Sequence, residues 1–283
     1  MKHLRDDCCV LNAGDGSWAF EPLAERLSAA LGIQISAEPR NFNYVLSIDG
    51  AVKEFHHTSF IPLTSIAIAA DKRLIAATFS EHHVPAPRTL LFDTFGEVST
   101  FTAAHHNSLW CLKFPTGCGG NGHRILKPNE AEPSRWPRPF IVQEFIPLEH
   151  PEVYRLFCAG GELFGWVVRR FPTTSHSSPW VAHARGARYT SLGKAPASAL
   201  AAARAALSAT GLLNFFGGAD LLQRPNGDWV VLEVGTDGIF NHVDRELEDP
   251  SLESELYQRV TGAFWKWADV RSKLCRPFRA RGF

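Results

Sequence analysis

Two acidic residues, Asp220 and Glu233, stand inside the apolar runs GGADLLQ and VVLEVG, on either side of the turn sequence Pro225-Asn226-Gly227-Asp228. The pattern predicts a hairpin with one carboxylate on each strand. A carboxylate in a buried strand is costly unless it is paired or bound to a cation. Two carboxylates brought together repel each other unless a divalent ion sits between them. Magnesium suits such a pair, because it accepts one or two protein carboxylates and completes its shell with water and phosphate oxygens. The competing reading is structural, with both carboxylates satisfied by arginine or backbone donors.

A second constellation is LKFPTGCGGNG (112–122), where Lys113 at a strand end enters a loop containing Gly117, Gly119, Gly120 and Gly122. Glycines let backbone N–H groups approach phosphate oxygens closely, and the lysine adds a point charge. Gly117, Gly119 and Gly122 also satisfy G-x-G-x-x-G, but a dinucleotide site needs a helix to open there, and HRILKPNEAEP does not offer one. No GK[ST] follows, which excludes a P-loop. The plain alternative is a flexible hairpin loop. Arg155 and Arg169 lie on the two arms of a second hairpin, YRLFCAGGELFGWVVRRF (154–171), with Arg170 directed to the opposite face. Arginines on apolar strands suit an anionic intermediate or a substrate carboxylate; a salt bridge to Asp220 or Glu233 is the alternative. The pairs His56-His57, His82-His83 and His105-His106 read as surface or loop residues, while His176, His183 and His242 fall near the site without singling out a base.

The elements that must position these groups follow from spacing. CCVLNA (8–13) and NYVLSID (43–49) read as strands around a helix ending at Gly32. Residues 65–82 carry apolar residues at helical intervals, and Pro85 and Pro87 close that helix before the strand TLLF. Strands are expected at 108–114, 123–126 and 139–146, with a polar, proline-rich connector between the last two. A Ser/Thr/Pro-rich loop (172–180) follows the central hairpin, then an alanine-rich helix (197–211), the carboxylate hairpin and a C-terminal helix (251–274). The segment 172–190, with Arg185 and Arg188, is the candidate for contacts to an acceptor substrate.

The chain has 283 residues, 45% of them apolar, and its 29 basic residues equal its 29 acidic ones. A zero net charge argues against a protein that coats nucleic acid. No apolar run reaches the length of a membrane span, and MKHLRDDCCVL lacks the core of a signal peptide, so the expected location is the cytoplasm. The six cysteines form no CxxC pair and are expected as free thiols; Cys118, inside the glycine cluster, is the one to watch for reactivity.

The order of these pieces carries a resemblance. It runs from the helix with Lys72 through VPAPRT, the Lys113 strand and glycine loop, IVQEFI, YRLFCAGGEL, Arg169 and GGADLL to VVLEVG. This order resembles the ATP-grasp superfamily over roughly residues 65–245, especially its carboxylate–amine ligases of the glutamate-ligase and glutathione-synthetase-like type. The resemblance implies an α/β (α+β) fold, two α+β lobes clasping ATP, with a short N-terminal α/β lobe (1–65), a small lobe (66–138) and a large lobe with the metal site (139–283). It implies ATP and Mg2+ as cofactors. Lys72 and Lys113 would reach the phosphates under the glycine loop. Gln143, Glu144, Phe145 and Ile146 would form the strand whose backbone holds the adenine, with Glu149 or Glu152 at the ribose. Arg155 and Arg169 would steady the γ-phosphate and an acyl phosphate, and Asp220 and Glu233 would hold magnesium. The family usually has Asn two residues after the second acidic ligand; here that position is Gly235, and Asp237 or Asn241 is the replacement to consider. The implied reaction joins a small-molecule or peptide carboxylate to an amine, without nucleic acid or membrane; homodimerisation is left open. A kinase on the same fold and a non-catalytic ATP-binding module are the alternatives.

Overall fold

The computed structural model describes residues 2–48, 57–117, 122–128, 130–172, 178–236 and 250–274. A short helix α1 (Lys2–Asp6) leads into β1 (Cys8–Asn12), whose first four residues are buried. Parallel strands are covered on both faces, which explains an apolar run without alternation. Helix α2 (Glu21–Leu31) buries Leu23, Ala24, Leu27 and Leu31 and stops at Gly32, whose φ of 64° closes the last turn. Strands β2 (Gln34–Ser36), β3 (Phe42–Ser47) and β4 (Thr58–Ser59) complete a parallel sheet in the order β2-β1-β3-β4.

Residues 65–82, expected as one helix, form two: α3 (Leu63–Ala70) and α4 (Lys72–Glu81). Asp71 divides them. Its backbone is extended, and its carboxylate accepts from the Arg73 amide at 2.8 Å and from the Arg73 guanidinium. Aspartate is a good N-cap, and here it opens a second helix although the apolar spacing runs on unbroken. Lys72 therefore becomes the first residue of α4. Its amide, which has no acceptor inside the helix, donates to the Pro115 carbonyl at 2.9 Å.

The second sheet is antiparallel. It contains β5 (Thr89–Phe92), β6 (Trp110–Lys113), β7 (Arg124–Ile125) and β8 (Phe140–Glu144) in the order β5-β8-β6-β7. Helix α5 (Phe95–Ala104) covers it, opened by a capping box between Thr94 and Glu97. Phe95, Val98, Trp110, Leu112, Phe140 and Val142 form its core.

The third sheet holds β9 (Glu152–Ala159), β10 (Glu162–Arg170), β11 (Arg188–Ser191), β12 (Phe216–Gln223) and β13 (Trp229–Gly235), antiparallel in the order β11-β10-β9-β12-β13. Arg188, expected in a loop, thus lies on an edge strand. Helix α6 (Ala197–Ala209) packs on β12 and β13 through Ala199, Ala202, Ala203 and Ala206, small residues that allow close approach. Helix α7 (Pro250–Leu274) buries every fourth residue, Leu252, Leu256, Val260, Phe264 and Ala268. Its Phe264 meets Tyr44 and Phe60, which joins the first sheet to the third in one core.

Two divisions expected from sequence fall differently in the sheets. Strand β8, assigned to the segment beginning at 139, is hydrogen-bonded inside the second sheet. Helices α3 and α4, assigned with the second sheet, contact β13 of the third, and Ile75 and Phe79 share its core with Leu221 and Val231.

Candidate active site

The third sheet turns one face toward the second, and strand register places charged groups there. Arg155, Asp220 and Glu233 are direct cross-strand partners in a row over β9, β12 and β13. Arg169 pairs with Val153, two residues from Arg155, so both arginines share that face. The register slips after Asp220, and the bulge leaves Leu232 and Glu233 both on the cleft wall.

From the other side, β6 delivers Lys113 and β8 delivers Gln143, both buried. Together these groups line a cleft of about 510 Å3. Every described residue that the resemblance assigned to nucleotide or magnesium borders it: Lys72, Lys113, Gly117, Gln143 to Ile146, Glu149, Glu152, Arg155, Arg169, Asp220 and Glu233; Arg185 and Arg188, the candidates for acceptor contacts, do not line it. Gly119, Gly120, Asp237 and Asn241 lie outside the described residues, as do Cys118, His176 and His242.

The side chains are engaged as follows. Lys72 donates to the Gly117 carbonyl at 2.8 Å and stands 3.8 Å from Glu233. Lys113 donates to Gln143 Oε1 at 3.0 Å, and among the described residues it has no carboxylate in ion-pair contact. Burial pushes its pKa down, opposed by the charge of Glu233. Arg155 forks onto Asp220, Nε to Oδ1 at 2.5 Å and an Nη to Oδ2 at 2.9 Å. Arg169 donates to the same Oδ2 at 3.1 Å and to the Tyr189 hydroxyl at 3.1 Å. Burial alone would raise the Asp220 pKa, but the two guanidinium charges and their hydrogen bonds outweigh it and hold the carboxyl below its ordinary value. The salt-bridge alternative for Arg155 and Arg169 is therefore the arrangement present here. Glu144 is tied by its side chain to Arg224 at 2.6 and 2.7 Å and by its amide to the Arg88 carbonyl. Glu152 binds Arg170 and the Tyr154 hydroxyl.

Four residues of this region escaped the sequence reading. Tyr189 lies under the Arg169 guanidinium, and Trp180 stands edge-on to both Phe145 and His123. Thr89 holds the Gln143 amide. His123 accepts the Phe114 amide through Nδ1. None sits in an apolar run that would make it costly, so no pattern marked it. Cys111, on the cleft wall, has its thiol pushed up by burial to about 11 and is no nucleophile at neutral pH.

Lys113 is a buried cation with only a neutral partner, and the Nε–H of Arg169 is buried with no acceptor among the described residues. Both are unspent donors toward an anion, which fits a polyphosphate. Glu233 is partly exposed on the cleft, beside an Asp220 already hydrogen-bonded by two arginines. Among the described residues no three His, Cys, Asp or Glu side chains cluster as a metal site. Two carboxylates suit magnesium, which draws its other ligands from phosphate and water.

No family model matches the chain, and no curated protein matches its sequence. Solved structures do. The ATP-grasp ligase PsnB, complexed with minimal precursor, aligns with a TM-score of 0.65 at 12% identity over 91% of this chain and 99% of its own. The D-cycloserine synthetase DcsG aligns with a TM-score of 0.65 at 18% identity, over 91% and 99%. The D-alanine–D-alanine ligase from Bacillus anthracis, complexed with ATP, aligns with a TM-score of 0.64 at 11% identity, over 93% and 97%. The fold is that of the ATP-grasp ligases.

Proposed function

We propose that the chain is an ATP-dependent ligase that activates a carboxylate and joins it to an amine. The observation that carries this reading is Lys113, a buried ammonium with a neutral partner, in one cleft with Lys72, Arg155, Arg169 and the carboxylate pair Asp220–Glu233. Four fixed cations gathered beside the carboxylate pair suit a triphosphate carried with magnesium. Lys72 and Lys113 bind the phosphates, with Gly117, Gly119 and Gly120 closing over them. Gln143, Glu144, Phe145 and Ile146 border the adenine, and Glu149 or Glu152 the ribose. Glu233 and Asp220 would hold magnesium, with Asp237 or Asn241 as the further candidate, and the ion would supply positive charge to the phosphates. Arg155 and Arg169 orient the substrate carboxylate and stabilise the acyl phosphate, a task of positioning and electrostatics. The substrate carboxylate attacks the γ-phosphorus of ATP and the bond to the departing ADP breaks; an amine then attacks the acyl carbon, phosphate leaves, and the amine gives up a proton to form the amide.

The similar structures support both free amino acids and peptides as substrates to try, since their names speak of D-alanine ligation and of a precursor. The test is ADP release across a panel of amino acids, dipeptides and peptides with Mg2+. The expected result is ADP and free phosphate appearing only when an acid and an amine are both present. ATP turnover that persists without any carboxylate, or phosphate found on the product, overturns the reading.

A further inference from the structure

Three adjacent strands of the second sheet set a row of polar side chains on one face. Thr89 of β5 is the direct cross-strand partner of Gln143 in β8, which is in turn the partner of Cys111 in β6. Lys113 stands two residues beyond Cys111 on that face, diagonal to Gln143. The side chains join in a chain. The Lys113 ammonium donates to Gln143 Oε1 at 3.0 Å, Gln143 Nε2 donates to Thr89 Oγ1 at 2.9 Å, and the Thr89 hydroxyl donates to the Pro87 carbonyl at 2.9 Å.

The direction of this chain is forced at both ends. A carbonyl only accepts, so the single hydroxyl proton of Thr89 is spent on Pro87, and toward Gln143 the hydroxyl can only accept. Gln143 must therefore present its NH2 to Thr89 and its oxygen to Lys113. An ammonium only donates, so the other end selects the same amide orientation. The result is a buried cation held in place by a dipole and not by a counter-charge. A carboxylate in the same position would hold the ammonium as firmly but neutralise it, and a charged partner forms the stronger hydrogen bond.

We infer that Gln143 is a positioning residue that acts through its side chain, aiming the Lys113 ammonium into the cleft with no carboxylate in ion-pair contact among the described residues, and that Thr89 fixes the orientation of its amide. This rests on the nucleotide reading above and goes beyond the backbone role given to Gln143 there. Thr89 lines not the main cleft but a smaller cavity of about 310 Å3 behind it, so changing Thr89 alters no group that lines the nucleotide cleft.

The experiment is equilibrium binding of ATP with Mg2+ to the full chain and to Thr89→Val, Thr89→Ser and Gln143→Glu, each with a thermal melt. Thr89→Val keeps shape but removes the acceptor, and about fivefold weaker binding is expected, the equivalent of one ordinary hydrogen bond. Thr89→Ser restores the hydroxyl and binding within about twofold, which a packing role for the threonine methyl would not allow. Gln143→Glu is nearly isosteric and weakens ATP by about tenfold or more, because the carboxylate competes with phosphate for the ammonium. Binding that is native-like in both Thr89→Val and Gln143→Glu, or equal losses in Thr89→Val and Thr89→Ser, overturns the inference. Failure of the unaltered chain to bind ATP overturns the nucleotide reading itself, and is told apart because no variant is then needed.

Discussion

His123 stands at the mouth of the glycine loop, its Nδ1 accepting the Phe114 amide at 3.2 Å and its ring edge-on to Trp180. Burial, reinforced by the charges of Lys113, Lys72 and Arg185, lowers its pKa from 6.5 to about 3. Between those values the unfolded chain binds a proton that the folded chain refuses. The stability contribution is therefore full above about pH 6.5 and is lost as pH falls toward 3, by up to about 1.4 kcal/mol per unit. Urea unfolding at pH 7 and pH 5 should give a lower midpoint at pH 5, and His123→Asn should flatten that difference; equal slopes in both proteins would contradict the assignment. Such a residue was not legible in the sequence, where His123 is one imidazole among twelve. Lys113, Asp220 and Glu233 were legible because a charge inside an apolar run is costly wherever that run folds, so it stands out from residue types alone. The engagement of Asp220 by two arginines was open in the sequence, since only strand register decides which charges meet.

At the scale of elements, the break at Asp71 matters most. The cap starts α4 at Lys72, so the Lys72 amide is free to reach Pro115 while its ammonium reaches Gly117. Removing the cap with Asp71→Ala is expected to cost about 1 kcal/mol, or a melting temperature lower by about 2–4 °C. ATP binding should weaken with it, because Lys72 loses its register against the glycine loop. Asp71→Asn, which can still cap, should recover both; an Asp71→Ala protein with native melting and native ATP binding would refute the link. Most strands, α2, α6 and α7 were readable from apolar period and from glycines at their ends; β2, β4 and β11, short strands at sheet edges, were not. Helix α5 was not, because FGEVSTFTAA lacks an apolar stripe and its only signal was the Thr94–Glu97 box. The α3–α4 break was hidden for the opposite reason: the apolar spacing continues across it.

For the whole molecule, we propose lobes that follow the sheets and not the cuts at 65 and 138, with the first and third sheets sharing one core. Polar contacts tie the second sheet to the rest. Arg224, following β12, holds Glu144 of β8; the Val231 amide donates to the Pro85 carbonyl at 2.7 Å; and Lys72 bridges from α4 to the glycine loop. The core of the second sheet is separate from the large core shared by the other two. Domains joined in this way are expected to move relative to one another, and the cleft lies along that seam. No helix among the described residues is long and apolar enough to cross a membrane. The order of motifs along the chain was legible as the ATP-grasp fold, while the packing of α3 and α4 on the third sheet was not, since sequence proximity favours neighbours that folding did not choose.

If this cleft binds the phosphates of ATP, the buried Lys113, with no carboxylate in ion-pair contact among the described residues, carries much of that binding. Calorimetric titration of the intact chain with a non-hydrolysable ATP analogue and Mg2+, beside Lys113→Met, tests it most directly. Methionine fills the same space without the charge. Saturable binding by the intact chain is expected, with a loss of at least about tenfold in Lys113→Met and the fold retained by thermal melt. An intact chain that takes up no heat from the analogue, or a Lys113→Met protein that binds as tightly as the intact one, would contradict it.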